Sequence, residues 1–216
     1  MTPTPLTDET LAHGLRVLAR HDRDLARVVD QYGPPPMWAR QPGFPTLIHI
    51  ILEQQVSLAS ARAAFNRLKA AIRVTPRNLL TLDDATLKTI GFSRQKTVYA
   101  RHLAQAILDR RFNPAALAKM DDETARAKLI ELKGIGVWSA DIYLLMALRR
   151  PDVWPHGDLA LAVAAHHVKR LPSRPTYDQL TAMSEAWRPW RAVAARVLWH
   201  YYLSRDRTVA RSERSA

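Results

Sequence analysis

Apolar residues along this chain recur at steps of three and four, and no stretch alternates apolar with polar over the length of a strand. In TDETLAHGLRVLARH, residues 7–21, Leu11, Leu15 and Leu18 share one face, with Thr7 and Thr10 as caps. DLARVVDQYG predicts a second helix stopped by Gly33. Pro34, Pro35, Pro36, Pro42 and Pro45 make residues 34–45 a loop. Residues 44–72, FPTLIHIILEQQVSLASARAAFNRLKAAI, predict one or two helices with a break near Val56–Ser57. A short helix over 82–92 closes at Gly91, and one over 93–111 starts from Ser93. Residues 121–134 open on an acidic first turn suited to the helix dipole. Two more helices are predicted over 158–170 and 189–204, and residues 205–216 form a basic tail expected to fray. The pattern predicts an all-α protein without internal repeats.

Composition narrows the partners. Apolar residues make up 47% of 216, enough for a real core. Lys plus Arg number 32 against 20 Asp plus Glu, a formal charge of +12. Such an excess points to a polyanion, either nucleic acid or an anionic membrane surface. The membrane reading is weak, because no helix sets its lysines opposite a bare aromatic face. With no cysteine, disulfides, thiol nucleophiles, iron–sulfur clusters and cysteine zinc sites are excluded. His166 and His167 are adjacent and so point to different faces, while His49, His156 and His200 lack partners at ligand spacing. No catalytic metal and no cofactor are expected. The start, MTPTPLTDET, has neither a charged n-region nor an apolar h-region, and no apolar run reaches membrane-spanning length. A soluble, cytoplasmic, nucleoid-associated monomer of bacterial type is the expectation.

One stretch asks for a chemical explanation. LKGIGVWSADIYLL, residues 132–145, ends one helix near Leu132, sets Gly134 and Gly136 around Ile135, and begins another helix near Gly136. Glycines let the backbone reach unusual dihedrals and approach a surface closely. Unpaired amides at the head of the second helix form an anion site that suits phosphate. On this reading the stretch is a helix-hairpin-helix that grips a DNA backbone through Lys133, Gly134, Ile135, Gly136 and Ser139. An ordinary helix–helix turn with a glycine C-cap is the plain alternative.

About twenty residues later, DVWPHGDLAL (152–161) places Asp158 before an apolar helix-forming run. Alone, that aspartate reads as an N-cap. After a GIG hairpin and the Pro155–Gly157 bend, the arrangement resembles the helix-hairpin-helix DNA glycosylase superfamily, in its alkylpurine, DNA-3-methyladenine glycosylase II branch. ILEQQVS (51–57) is similar to the family's minor-groove segment, GIGVWSA (134–140) has the branch's tryptophan, and WRPWRAVAARVLWHYY (187–202) resembles its C-terminal helix. The likeness spans roughly residues 40–204.

The resemblance implies an all-α fold of two helical subdomains with the active-site cleft between them. One subdomain would cover about 45–135, and the other the N-terminal helices plus about 136–204. The N-terminal sheet domain of the best-known type is expected to be absent, since about 40 helical residues precede the likeness. The implied partner is double-stranded DNA carrying a damaged base. Asp158 would be the catalytic carboxylate, Trp138, Trp199, Tyr143 and Trp154 the base pocket, and Gln55 the wedge filling the gap left by a flipped base. Gln54 would face inward and fix the loop, while Trp187 and Trp190 would pack the C-terminal helix. Strand-nicking relatives carry a Schiff-base lysine where Trp138 stands, so a monofunctional glycosylase without lyase activity is implied. A sodium or potassium ion on the backbone carbonyls of Ile130, Leu132 and Ile135 is a further implication. A non-catalytic helix-hairpin-helix DNA-binding protein, or a glycosylase for hypoxanthine or uracil, are the competing readings.

Overall fold

The computed structural model of the chain describes residues 3–212, with side chains through Arg205. Twelve α-helices occur among them: α1 Asp8–His21, α2 Arg23–Tyr32, α3 Phe44–Glu53, α4 Leu58–Ala71, α5 Pro76–Thr81, α6 Asp84–Ile90, α7 Arg94–Leu108, α8 Asp122–Ile130, α9 Val137–Ile142, α10 Leu159–Val168, α11 Tyr177–Ser184 and α12 Arg191–Ser212. A π-helical turn, Tyr143–Ala147, continues α9, and short 3-10 segments cover Pro114–Lys119 and Glu185–Trp187. No strand occurs among the described residues, and none of their helices is long and apolar enough to cross a membrane.

The helices form two compact units. The first is made of Ala39–Leu148 with Pro3 of the chain start. Its centre is α3, where Leu47, Ile48, Ile50, Ile51 and Leu52 are buried all round the helix, as a helix without a polar face must be. Its end is tied down by a bidentate pair in which Arg40 donates to both oxygens of Glu53, at 2.8 and 2.7 Å. The second unit joins Thr4–Trp38 to the chain from Arg149 onward. Its core is α12, whose Ala192–Ala195, Val197 and Leu198 are buried and which packs against α10, α2 and α1. Gly14 of α1 lets this happen, since a Cβ there would sit 2.8 Å from the Trp190 ring. Asp22 caps α2 and accepts a hydrogen bond from Trp187 Nε1 at 2.7 Å. Trp187 and Trp190 are therefore packing residues, as the sequence suggested.

Several boundaries differ from expectation. The first unit ends at Leu148 and not near residue 135. The reason is burial: Ala140, Ile142, Tyr143, Leu144 and Leu145 leave solvent as α9 and its π turn pack on α3 and α8. The break in residues 44–72 falls at 54–57, close to where it was read. Helices α5 and α11 and the Pro114–Lys119 turn escape the periodicity because each is only one or two turns long. Each is set by a local cap: Thr75, Thr176 or Asn113. Helix α12 runs through Ser212, so the helix covers most of the predicted basic tail, and residues 213–216 lie outside the described ones.

Candidate active site and nucleic-acid interface

The hairpin lies in the first unit. Between α8 and α9, Leu132 and Ile135 turn their side chains inward, and the Ile135 amide donates to the Leu132 carbonyl at 3.0 Å. Gly134 is required twice over. Its φ is +89°, in the region that side-chain-bearing residues avoid, and a Cβ would lie 2.1 Å from the ring of Tyr99. Gly136 is different: its φ is −92° and a Cβ would meet nothing. It caps α9 without a side-chain hydrogen bond. Lys133, Gly136 and Val137 are exposed there. The sequence reading saw this turn through its glycines; it missed Tyr99, whose ring closes over Gly134.

Gln54 locks the turn from the side. Its Nε2 donates to the Gly134 carbonyl at 2.8 Å and to Ser139 Oγ at 2.9 Å. The inward role expected of Gln54 is what the geometry gives. Ser139 is corrected: it is buried and its hydroxyl is turned to Gln54, so it does not face outward with the amides. Gln55, the next residue, points the other way. It is exposed and held at φ +56°, a strained conformation for a glutamine, with exposed Val56 and Leu58 beside it. Trp138 is half-buried on α9. Tyr143 is a correction: it has no exposure, and its hydroxyl accepts the Gly43 amide at 2.9 Å, so it is core and not pocket lining. Burial pushes its phenol above the ordinary range.

The second unit carries the carboxylate. A bend with Gly157 at φ +81° turns the chain into α10, and Asp158 is the N-cap. Its Oδ1 accepts the Leu161 amide at 2.9 Å and Trp199 Nε1 at 3.2 Å. Both Asp158 and Trp199 are buried, at 8% and 7% exposure, so this carboxylate is withdrawn from bulk water and aimed by two donors. Cap and candidate catalytic group are thus one side chain. Trp199 meets this carboxylate through its N–H. Trp154 is corrected to core packing: it is buried, with its ring 5.4 Å from that of Trp187.

One residue of this neighbourhood was not picked out from the sequence. Trp38 meets Trp199 edge to face, centroids 6.4 Å apart at 73°, and lies 6.3 Å from the His200 ring. It is half-buried and has a φ of +48°. Its only sequence signal is a tryptophan placed in a proline-rich loop. Among the described residues no cluster of His, Asp and Glu is arranged to hold a metal ion.

Comparison with known proteins places this geometry. Residues 48–190 match the HhH-GPD superfamily of base excision DNA repair proteins. DNA-3-methyladenine glycosylase 1 of Schizosaccharomyces pombe is 29% identical over 180 residues, covering 81% of this chain and 79% of that protein. A putative DNA-3-methyladenine glycosylase of Bacillus subtilis is 27% identical, over 81% of this chain and 64% of the relative. Among solved structures, the S. pombe 3-methyladenine DNA glycosylase in complex with abasic DNA superposes with a TM-score of 0.78 at 28% identity, covering 88% of this chain and 95% of that one.

Proposed function

We propose that this chain, which belongs to the HhH-GPD superfamily of base excision DNA repair proteins, is a monofunctional DNA glycosylase that removes alkylated purines from duplex DNA. The observation that carries the reading is the buried Asp158 carboxylate, held by the Leu161 amide and Trp199 Nε1. The names of the relatives, 3-methyladenine glycosylases in yeast and bacteria, agree with it.

The chemistry follows from charge. Breaking the N-glycosidic bond sends its electron pair to the base and leaves positive charge on the sugar, as in glycoside hydrolysis. A fixed carboxylate stabilises that charge, and a water supplies the oxygen that ends on C1′. A purine alkylated at a ring nitrogen is already cationic, so it departs neutral and needs little acid help. The base leaves the stack before it reacts, at an unstacking penalty of a few kcal/mol. Gln55, exposed and preset by its backbone, is the residue we assign to the vacated space. The amides around Gly136, with Lys133, hold backbone phosphate whatever the base sequence. A sodium or potassium ion on the carbonyls of Ile130, Leu132 and Ile135 fits this turn. The Leu132 carbonyl already accepts the Ile135 amide, and a carbonyl oxygen keeps a second lone pair. Such an ion would add positive charge beside the phosphate.

The absence of lyase activity rests on Trp138 standing where lyase relatives place a Schiff-base lysine. The test is a labelled duplex carrying 3-methyladenine, 7-methylguanine, ethenoadenine, hypoxanthine or uracil, run on a denaturing gel with and without alkali and borohydride. The expected product is an intact abasic strand, formed fastest from the cationic purines and cut only after alkali. Excision confined to uracil or hypoxanthine would overturn the substrate assignment. A borohydride-trapped protein–DNA adduct would overturn the monofunctional one.

A further inference from the structure

Three helices of the second unit enclose a small cleft at the end of α10 remote from Asp158. Arg27 and Tyr32 of α2, His167 of α10, Arg170 just beyond it and Tyr201 of α12 line it. Its volume is about 240 Å³, below the roughly 300–1,000 Å³ of clefts that take drug-sized ligands. Among the described residues no Asp or Glu lines it. Asp24 pairs with Arg27 at 3.0 Å from outside the lining, and Lys169 shares that carboxylate at 3.3 Å. Cations at a helix C-terminus ordinarily answer bare carbonyls. Here the carbonyls are already taken. Those of Ala165, His166 and His167 accept the amides of Lys169, Leu171 and Arg170 at 2.9, 3.0 and 3.2 Å. The Val168 carbonyl accepts Arg27 Nη2 at 3.0 Å. The negative end of α10 is therefore covered, while His167 and Arg170 remain exposed. Arg170 is also placed against local preference. It follows the cap residue Lys169 with a φ of +52°, at the position where helices usually carry glycine.

We propose that this cleft is a second anion site, separate from the hairpin, that binds a compact phosphate: the free ion or the monoester group of a mononucleotide. Two guanidiniums offer forks that match phosphate oxygens, and the tyrosine hydroxyls and the imidazole add donors. The ten residues of α10 set the cleft about 15 Å from the Asp158 end, so its phosphate is not one beside the reacting sugar. A phosphate bound there bridges α2, α10 and α12 and stabilises the folded second unit by mass action. The proposal does not depend on which base the protein removes.

The experiment compares wild type with Arg170→Gly, which removes the guanidinium and suits the left-handed backbone. Melting temperature is followed as sodium phosphate is added, with sodium chloride adjusted to hold ionic strength fixed. The titration is repeated with deoxyguanosine 5′-monophosphate and with deoxyguanosine. Wild type is expected to melt higher as phosphate rises. Without phosphate, Arg170→Gly should melt no lower than wild type. It should need roughly 10- to 100-fold more phosphate for the same rise, the range for hydrogen bonds to a charged group. Its excision rate and duplex affinity should match those of wild type. A nucleotide that acts at lower concentration than free phosphate, with the nucleoside inert, identifies the monoester as the ligand; a nucleotide no better than phosphate identifies the free ion. If wild type does not respond to phosphate, the proposal fails. If Arg170→Gly responds as wild type does, the ion sits elsewhere, the hairpin included, and the proposal fails. If Arg170→Gly weakens duplex binding while phosphate and the nucleotide have no effect, the cleft is a contact to the DNA backbone, and the proposal fails in favour of that one.

Discussion

The hairpin of the first unit and the Asp158 neighbourhood of the second are built on opposite plans. The hairpin is local, within residues 130–139, and what it offers outward is backbone together with the exposed side chains of Lys133 and Val137. Leu132, Ile135 and Ser139 turn inward, and Gln54 and Tyr99 are there to hold the turn. The second site offers side chains, gathered from Trp38, Asp158 and Trp199. The difference matches the two tasks assigned to them. Phosphate recurs identically along DNA, so backbone donors suffice and carry no sequence information. Chemistry at one sugar carbon needs a charge fixed to a fraction of an ångström, and only packed side chains supply that.

Substitutions separate the two plans, and the largest effect belongs to the side-chain site. Asp158→Asn is expected to lower single-turnover excision roughly 1,000-fold or more, as loss of a key electrostatic group does. Asparagine caps a helix as well as aspartate, so the melting temperature and duplex affinity should hold. Near-normal excision would reduce Asp158 to a cap and dissolve the contrast. On the other side, Gly134→Ala meets both a φ of +89° and the Tyr99 ring, whereas Gly136→Ala meets neither obstacle. We expect the first to weaken binding to damaged and undamaged duplexes alike and the second to change it far less, because the contacts are positional and sequence-blind. Titration of affinity by fluorescence anisotropy decides, and equal effects of the two would mean the turn's shape is not what grips. Next in size is Trp199→Phe, which keeps a ring but removes the donor to Asp158 Oδ1. A fall of about tenfold in excision, with undamaged-duplex affinity unchanged, matches one hydrogen bond to a charged group. An unchanged rate would mean that the Trp199 donor does not orient the carboxylate. The smallest effect is expected from Gln55→Ala, a few-fold loss on a paired lesion that vanishes when the opposing nucleotide is abasic. Persistence of the loss there would argue against a wedge.

How far the sequence could be read follows the same divide. The all-helical fold was visible because apolar spacing is local, and the hairpin because Gly134 and Gly136 mark it. Asp158 was visible by its place before a helix. What stayed hidden was orientation and distance. Ser139 looked like an outward donor, but which face its hydroxyl takes is decided by Gln54, 85 residues earlier. Tyr143 and Trp154 looked like pocket aromatics, yet burial against neighbours, not residue type, made them core. Trp38 gave no signal, since the arginine that pins its loop lies 159 residues away from Met37.

That second unit is assembled from both ends of the chain, with the first inserted between them. Its ties span that insertion: Leu6 donates to the Arg149 carbonyl at 2.7 Å, and Arg196 reaches back to Met37. On a ribosome, which emits roughly 5–20 residues per second, the segment Ala39–Leu148 is complete while the N-terminal helices still await their partners. The buried arginine, the indole donor and the rest of α12 come last. A half-made chain thus already has the glycine turn, but the indole that donates to the Asp158 carboxylate is still to come, and the unit that holds this carboxylate is the last part of the molecule to become whole.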